Sequence, residues 1–168
     1  MRNRGTIGGS LAQADPHGDL PAVVLALGAE IIAQGASGAR SIAIDEFFVD
    51  YYTTALAEGE LITEIRIPGG QSNGAYAKFN RRAQDWAVIA AAVSKGSAGW
   101  RVGLCGAAAT AVRATGVEAA LASGASAADA ADAAGEGINP EPGLDGSSEY
   151  KRHLACVMVR RALEAAGA

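Results

Sequence analysis

Leu20, Val23, Val24 and Leu27 recur at i, i+3, i+4 and i+7, which draws one apolar stripe along a helix. Asp19 stands where an N-cap belongs, Pro21 falls in the tolerant first turn, and Gly28 is a natural stop. Residues 30–34 and 40–44 are short apolar runs split by Gly35-Ala36-Ser37-Gly38, which predicts a strand pair across a turn. Residues 45–49 read as a brief helical turn carrying Phe47 and Phe48 into a core. Over 61–67, Leu61, Thr63, Ile65 and Ile67 alternate with Ile62, Glu64 and Arg66, a strand with two unequal faces.

Pro68-Gly69-Gly70-Gln71-Ser72-Asn73-Gly74 is the clearest linker. Three strands are predicted beyond it, over 75–81, 87–94 and 100–109. The last two are joined by Lys95-Gly96-Ser97-Ala98-Gly99, a loop suited to an antiparallel hairpin. Alanine-rich residues 116–123 and 127–135 are helical by propensity, and Asn139-Pro140-Glu141-Pro142-Gly143 breaks that pattern. Ser147 then caps a last helix with Tyr150, Leu154, Val157, Met158, Ala162 and Ala165 on one face. The second half is therefore expected to be an α+β module, a three-stranded antiparallel sheet followed by three helices.

At 168 residues the chain can bury a real core, and 49% hydrophobic with 19% charged residues is ordinary for a globular protein. A net charge of −4 without long runs advertises neither nucleic acid nor an anionic membrane. No apolar leader and no membrane-length apolar window occur, so a cytoplasmic location is expected. Cys105 and Cys156 lack CxxC companions and read as reduced thiols. No metal ligand set and no catalytic acid–base pair can be assembled, and His17 reads as a loop side chain.

The chemistry concentrates at Arg4-Gly5-Thr6-Ile7-Gly8-Gly9-Ser10. Adjacent glycines flanked by hydroxyl residues let amide donors approach a bulky anion such as a pyrophosphate. The bland reading, a glycine turn into an ordinary helix, has equal standing on spacing alone. Asp19 fits a helix cap and equally an acceptor for a ribityl or ribose hydroxyl. Lys78 shares a strand face with Tyr76 and Asn80, opposite Phe79. Such a lysine is usually a solvated charge, but near a flavin or phosphate it offsets negative charge. The loop 81–86 ends in Asp85-Trp86, either a surface connection or a gate over a planar ring.

Arg2-Asn3-Arg4-Gly5-Thr6-Ile7-Gly8-Gly9-Ser10 with Asp15-Pro16 and Asp19 closely resembles the second flavin motif of the FAD-carrying medium subunit of molybdenum hydroxylases. That group includes aerobic carbon monoxide dehydrogenase and the flavin portion of xanthine dehydrogenase. The likeness continues through Gly59-Glu60-Leu61-Ile62-Thr63-Glu64-Ile65-Arg66-Ile67-Pro68, Lys78-Phe79 and Asp85-Trp86-Ala87-Val88 to Glu149-Tyr150-Lys151-Arg152-His153-Leu154. The resemblance implies a partial FAD-binding (PCMH-type) α/β subdomain over 1–70. Over 73–168 it implies the family's C-terminal domain, with its sheet and three-helix bundle. It implies that Thr6, Ile7, Gly8, Gly9 and Ser10, with Gly5 just before them, wrap the FAD pyrophosphate. It further implies Asp19 at the ribityl–diphosphate region, Ile62 against the isoalloxazine and Lys78 near the flavin.

The implied partners are an iron–sulfur small subunit and a molybdopterin large subunit, which carry the other cofactors. Electrons would pass from them through FAD to an external acceptor. The family's earlier Ala-Gly-Gly-x-Ser-Leu motif has no equivalent here, so the first FAD subdomain is expected to be missing. Two rival expectations follow: an interaction module that no longer holds FAD, and a binder of another diphosphate.

Overall fold

The computed structural model describes residues 3–168; Arg2, the first residue of the flavin motif, and Met1 lie outside the described residues. Two helices open the described chain, α1 (Ile7–Gln13) and α2 (Asp19–Leu27). They are followed by β1 (Glu30–Gly35), β2 (Gly38–Ala43), the single turn α3 (Ile44–Phe47), β3 (Phe48–Asp50), β4 (Thr53–Thr54) and β5 (Leu61–Arg66). Strands β1 and β2 pair antiparallel, as the apolar runs predict, and β5 joins on the other side of β1.

The face of β5 differs from simple alternation. Ile31 pairs with Ile65 and Ala33 with Ile62, so the register slips at Thr63. This bulge turns Ile62 and Ile65 to the same side, against the core of Leu11, Val24, Ile31, Ile44 and Phe47. Leu61 and Ile67, expected beside Ile65, are instead 71% and 47% exposed. Phe47 is fully buried, and Phe48 meets it edge to face at 5.2 Å while already starting β3.

The second half holds β6 (Asn73–Phe79), β7 (Ile89–Gly96), β8 (Gly99–Cys105) and a two-residue β9 (Val112–Arg113). They form one antiparallel sheet in the order β6-β7-β8-β9, so the three predicted strands gain a short fourth. Helices α4 (Thr115–Ala122), α5 (Ala127–Ala131, continued by a tighter turn to Gly135) and α6 (Ser148–Ala166) follow. Ile89, Ala91, Val93, Val102 and Leu104 share a core with Val117, Ala130, Leu154, Met158 and Leu163 of these helices.

The opposite face of that sheet is also covered. Ala90, Ala92 and Cys105 pack with Ala22 and Ala26 of α2. Strand β7 is thus buried on both faces, which explains its continuous apolar run. Helix α2 is buried from two sides. Ala22, Val24, Leu25 and Ala26 are its buried heart, and the predicted stripe residues Leu20, Val23 and Leu27 are half-buried at the flanks. Arg101 of β8 stitches the join, donating to the Leu25 carbonyl at 3.0 Å and pairing with Asp45 at 2.7 Å.

Ser147 caps α6, as expected, accepting from the Tyr150 amide. The buried face is Lys151, Leu154, Ala155, Met158, Val159, Ala162, Leu163 and Ala166. Tyr150 and Ala165 lie outside it. The stripe is rotated because Lys151 points inward and satisfies its ammonium on the Glu141 carbonyl at 2.7 Å.

Candidate functional site

The glycine segment is the first turn of α1. Thr6 is its N-cap, with extended backbone, and its hydroxyl accepts from the Gly9 amide at 3.0 Å. The Ser10 amide donates to the Thr6 carbonyl at 3.1 Å. Two of the amides expected to wrap an anion are therefore engaged within the helix. The Ile7 and Gly8 amides have no acceptor among the described residues, as befits the first turn of a helix. A Cβ built on Gly8 would lie 3.9 Å from Ile62, an ordinary contact. The bulge in β5 is what brings Ile62 to this spot.

The first turn of α2 supplies the second half of the site. Asp19 is not the cap; Gly18 takes that position and makes no side-chain bond. Asp19 is the first helical residue, where negative charge is favoured by the helix dipole. Its carboxylate is divided between two residues of β6. Tyr76 donates its hydroxyl to Oδ1 at 2.7 Å, and Lys78 donates from Nζ to Oδ2 at 3.1 Å. Burial raises the Tyr76 pKa, and Cys105 and Asp19 push the same way, so the phenol stays a donor. Cys105, behind it, is pushed up to about 12, chiefly by burial, and is an inert thiol.

Asp19 and Lys78 line a cleft of about 950 Å³ with Asn3, Ala83, Gln84, Asp85 and Trp86. Trp86 is 60% exposed and also walls a neighbouring pocket of about 340 Å³ with His17, Tyr52 and Arg81. His17 is tied down, its Nδ1 2.8 Å from the Ala87 carbonyl.

The fold thus gathers the expected residues into two groups. Thr6, Gly8, Gly9 and Ile62 cluster at the start of α1; Asp19 and Lys78 face the cleft. Of the amino-terminal stretch, Asn3 reaches the cleft wall, and Gly5, Ile7 and Ser10 do not. Sequence reasoning missed Tyr76 as the partner of Asp19, and Asn3 and Gln84 on the wall. The i, i+2 spacing of Tyr76 and Lys78 was the available signal. Among the described residues no cluster of three or more His, Cys, Asp or Glu could hold a metal ion. No helix there is long and apolar enough to cross a membrane.

A helical layer, a sheet closed on both faces and a cleft between α2 and that sheet, with Asp19, Lys78, Asp85 and Trp86 on its wall, define a mixed α/β protein. Residues 1–70 match the family described as FAD binding domain in molybdopterin dehydrogenase. Residues 74–166 match the CO dehydrogenase flavoprotein C-terminal domain, and the chain belongs to that family.

The carbon monoxide dehydrogenase medium chain of Hydrogenophaga pseudoflava is 38% identical, over 100% of this chain and 62% of its own length. The 6-hydroxypseudooxynicotine dehydrogenase complex subunit alpha of Paenarthrobacter nicotinovorans is also 38% identical, over 97% of this chain and 59% of its own. Among solved structures, carbon monoxide dehydrogenase from Hydrogenophaga pseudoflava superposes with a TM-score of 0.92 at 40% identity, covering 99% of this chain and 62% of that one. Quinoline 2-oxidoreductase from Pseudomonas putida 86 gives 0.87 at 31% identity, over 99% and 62%. The chain spans about three-fifths of the length of these relatives.

Proposed function

We propose that this chain serves as an FAD-binding medium subunit of a molybdenum hydroxylase of the carbon monoxide dehydrogenase type. In this reading residues 1–70 contribute part of the flavin site and 73–168 form the C-terminal domain. The observation that carries it is the match of residues 1–70 to the FAD binding domain family. The Ile7 and Gly8 amides, with no acceptor among the described residues and no side chain on Gly8 to block approach, are compatible with it. Amides at a helix start are ready donors for phosphate oxygens. The residues present therefore fit a diphosphate, with Thr6 holding the turn in shape.

Bound FAD supplies the electron-transfer chemistry; this chain binds and orients it and tunes its electronics. The Ile7 and Gly8 amides would hold the pyrophosphate, with Gly5, Thr6, Gly9 and Ser10 shaping the turn around them. Asp19 would accept from the ribityl–diphosphate region, Ile62 would offer an aliphatic surface to the ring, and Lys78 would place a positive charge beside it. The proposal includes an iron–sulfur small subunit and a molybdopterin large subunit as partners, and a cytoplasmic location.

Gly8→Asp separates binding from folding. A carboxylate in the first turn of a helix is favoured by the dipole, and Gly8 has room for a side chain. The same charge repels a diphosphate. The chain should quench FAD fluorescence saturably, and the variant should lose at least about tenfold in affinity with its unfolding midpoint unchanged or raised. A wild-type chain that leaves FAD fluorescence untouched, or a variant that binds as well as wild type, overturns the proposal. A colourless chain that still joined an iron–sulfur or molybdopterin partner would be the interaction module instead.

A further inference from the structure

Asp19 is 45% exposed at its side chain and Lys78 is 23% exposed, so their 3.1 Å pair is not buried enough to fix itself. An isolated pair at such a surface contributes little and samples several rotamers. Here a third group removes that freedom. Tyr76 and Lys78 are two residues apart on β6 and so project from the same face. Each takes a different oxygen of one carboxylate. The Tyr76 ring is 38% exposed and lines a groove of about 410 Å³ between α2 and β6 with Val23, Ala26 and Leu27, and its hydroxyl is anchored by the bond to Asp19.

We propose that Tyr76 is a positioning residue: by occupying Oδ1 of Asp19 it commits Oδ2 to Lys78, and so sets how much of the lysine's positive charge reaches the cleft. The inference rests on the flavin reading above and deepens it. A cation beside a flavin favours the reduced, more negative form over the oxidised one. A carboxylate clamped onto that cation cancels part of the effect. Tyr76 therefore acts at one remove, through Asp19, on the relative affinity of the cleft for reduced and oxidised FAD. Strand pairing brings Lys78 alongside Ala90, which in turn faces Cys105. Cys105 is a buried neutral thiol, so it brings no charge to the back of the triad; the other carboxylate on the cleft wall, Asp85, makes no ion pair with Lys78.

The test is redox titration of FAD bound to wild type, Tyr76→Phe, Asp19→Asn and the double variant. Phenylalanine keeps the ring in its groove and removes only the hydroxyl. The preference for reduced over oxidised FAD should rise at least about twofold in Tyr76→Phe and further in Asp19→Asn. Tyr76→Phe should add nothing on top of Asp19→Asn, because its effect passes through that carboxylate. A purely structural tyrosine would alter the unfolding midpoint and leave the potential where it was. Wild type that binds FAD while Tyr76→Phe keeps the wild-type potential overturns this inference alone. An additive effect in the double variant overturns it too. Wild type that binds no FAD removes the flavin reading, and this one with it.

Discussion

Gly103 on β8 lies so close to Ala22 on α2 that a Cβ built on it would stand 2.2 Å from the Ala22 carbonyl oxygen. This contact lets α2 seat directly on the sheet, and it joins the amino-terminal half to the carboxy-terminal one. Because α2 also carries Asp19, the depth at which it seats decides where that carboxylate meets Tyr76 and Lys78.

Gly103→Ala should therefore be costly. Backbone stands in the way of the added methyl, so the helix must move rather than a side chain turn. Overpacking of this kind costs about 3 kcal/mol. Urea unfolding should show the midpoint falling, and a midpoint equal to wild type would mean that α2 does not pack as described.

Neighbouring glycines in α1 should respond unequally. Gly8→Ala meets only an ordinary contact with Ile62, so it gains helix propensity of up to about 1 kcal/mol. Gly9→Ala gains the same propensity but puts a Cβ 2.9 Å from the Thr6 hydroxyl and displaces the cap, whose loss costs about 1 kcal/mol and offsets the gain. Thermal unfolding should place Gly8→Ala above wild type and Gly9→Ala close to it, and equal shifts would contradict the cap.

Glu60 provides a pH signature. Arg40 pairs with it through two nitrogens, at 2.7 and 2.8 Å, and the Ala57 amide donates to it at 2.7 Å. These bonds, the Arg40 pairing foremost, lower its pKa from 4.5 to about 2. A depressed carboxylate contributes stability that is present above its unfolded value and lost as pH falls through the folded one. The stability difference between wild type and Glu60→Gln should be constant above pH 4.5 and shrink between 4.5 and about 2. Unfolding measured across that range checks it, and a difference that grew toward acid would refute the pairing.

The two thiols should separate cleanly in labelling. Cys105 is fully buried, and burial first of all pushes its pKa to about 12. Cys156 is half-buried, with a pKa also raised by burial. A thiol reagent on the native chain should modify Cys156 first and reach Cys105 only at the rate of opening. Mass spectrometry of the labelled peptides would reveal the reverse order if the sheet's α2 face were open.

Much of the layout was legible in the residues. The β1–β2 hairpin, the Gly28 stop of α2, the hairpin around Ser97-Ala98 and the Ser147 cap rest on local chemistry, which a short window contains. Periodicity misled where packing came from two directions or where register slipped. The Thr63 bulge exchanges the faces of β5, and α2 buries a second side that its stripe does not announce. The inward turn of Lys151 depends on a carbonyl ten residues earlier that a helical wheel cannot contain.

The glycine segment, the acidic residue after it and the lysine of β6 stand out in the chain alone as candidate chemistry. Their arrangement was not. Asp19 and Lys78 are 59 residues apart, and they meet because small residues at Ala22 and Gly103 let a helix and a sheet approach closely. Sequence determined the local donors, caps and turns, since those depend on neighbours along the backbone. Tertiary structure decided which charges share a cleft, because that depends on how deeply surfaces far apart in the chain pack together.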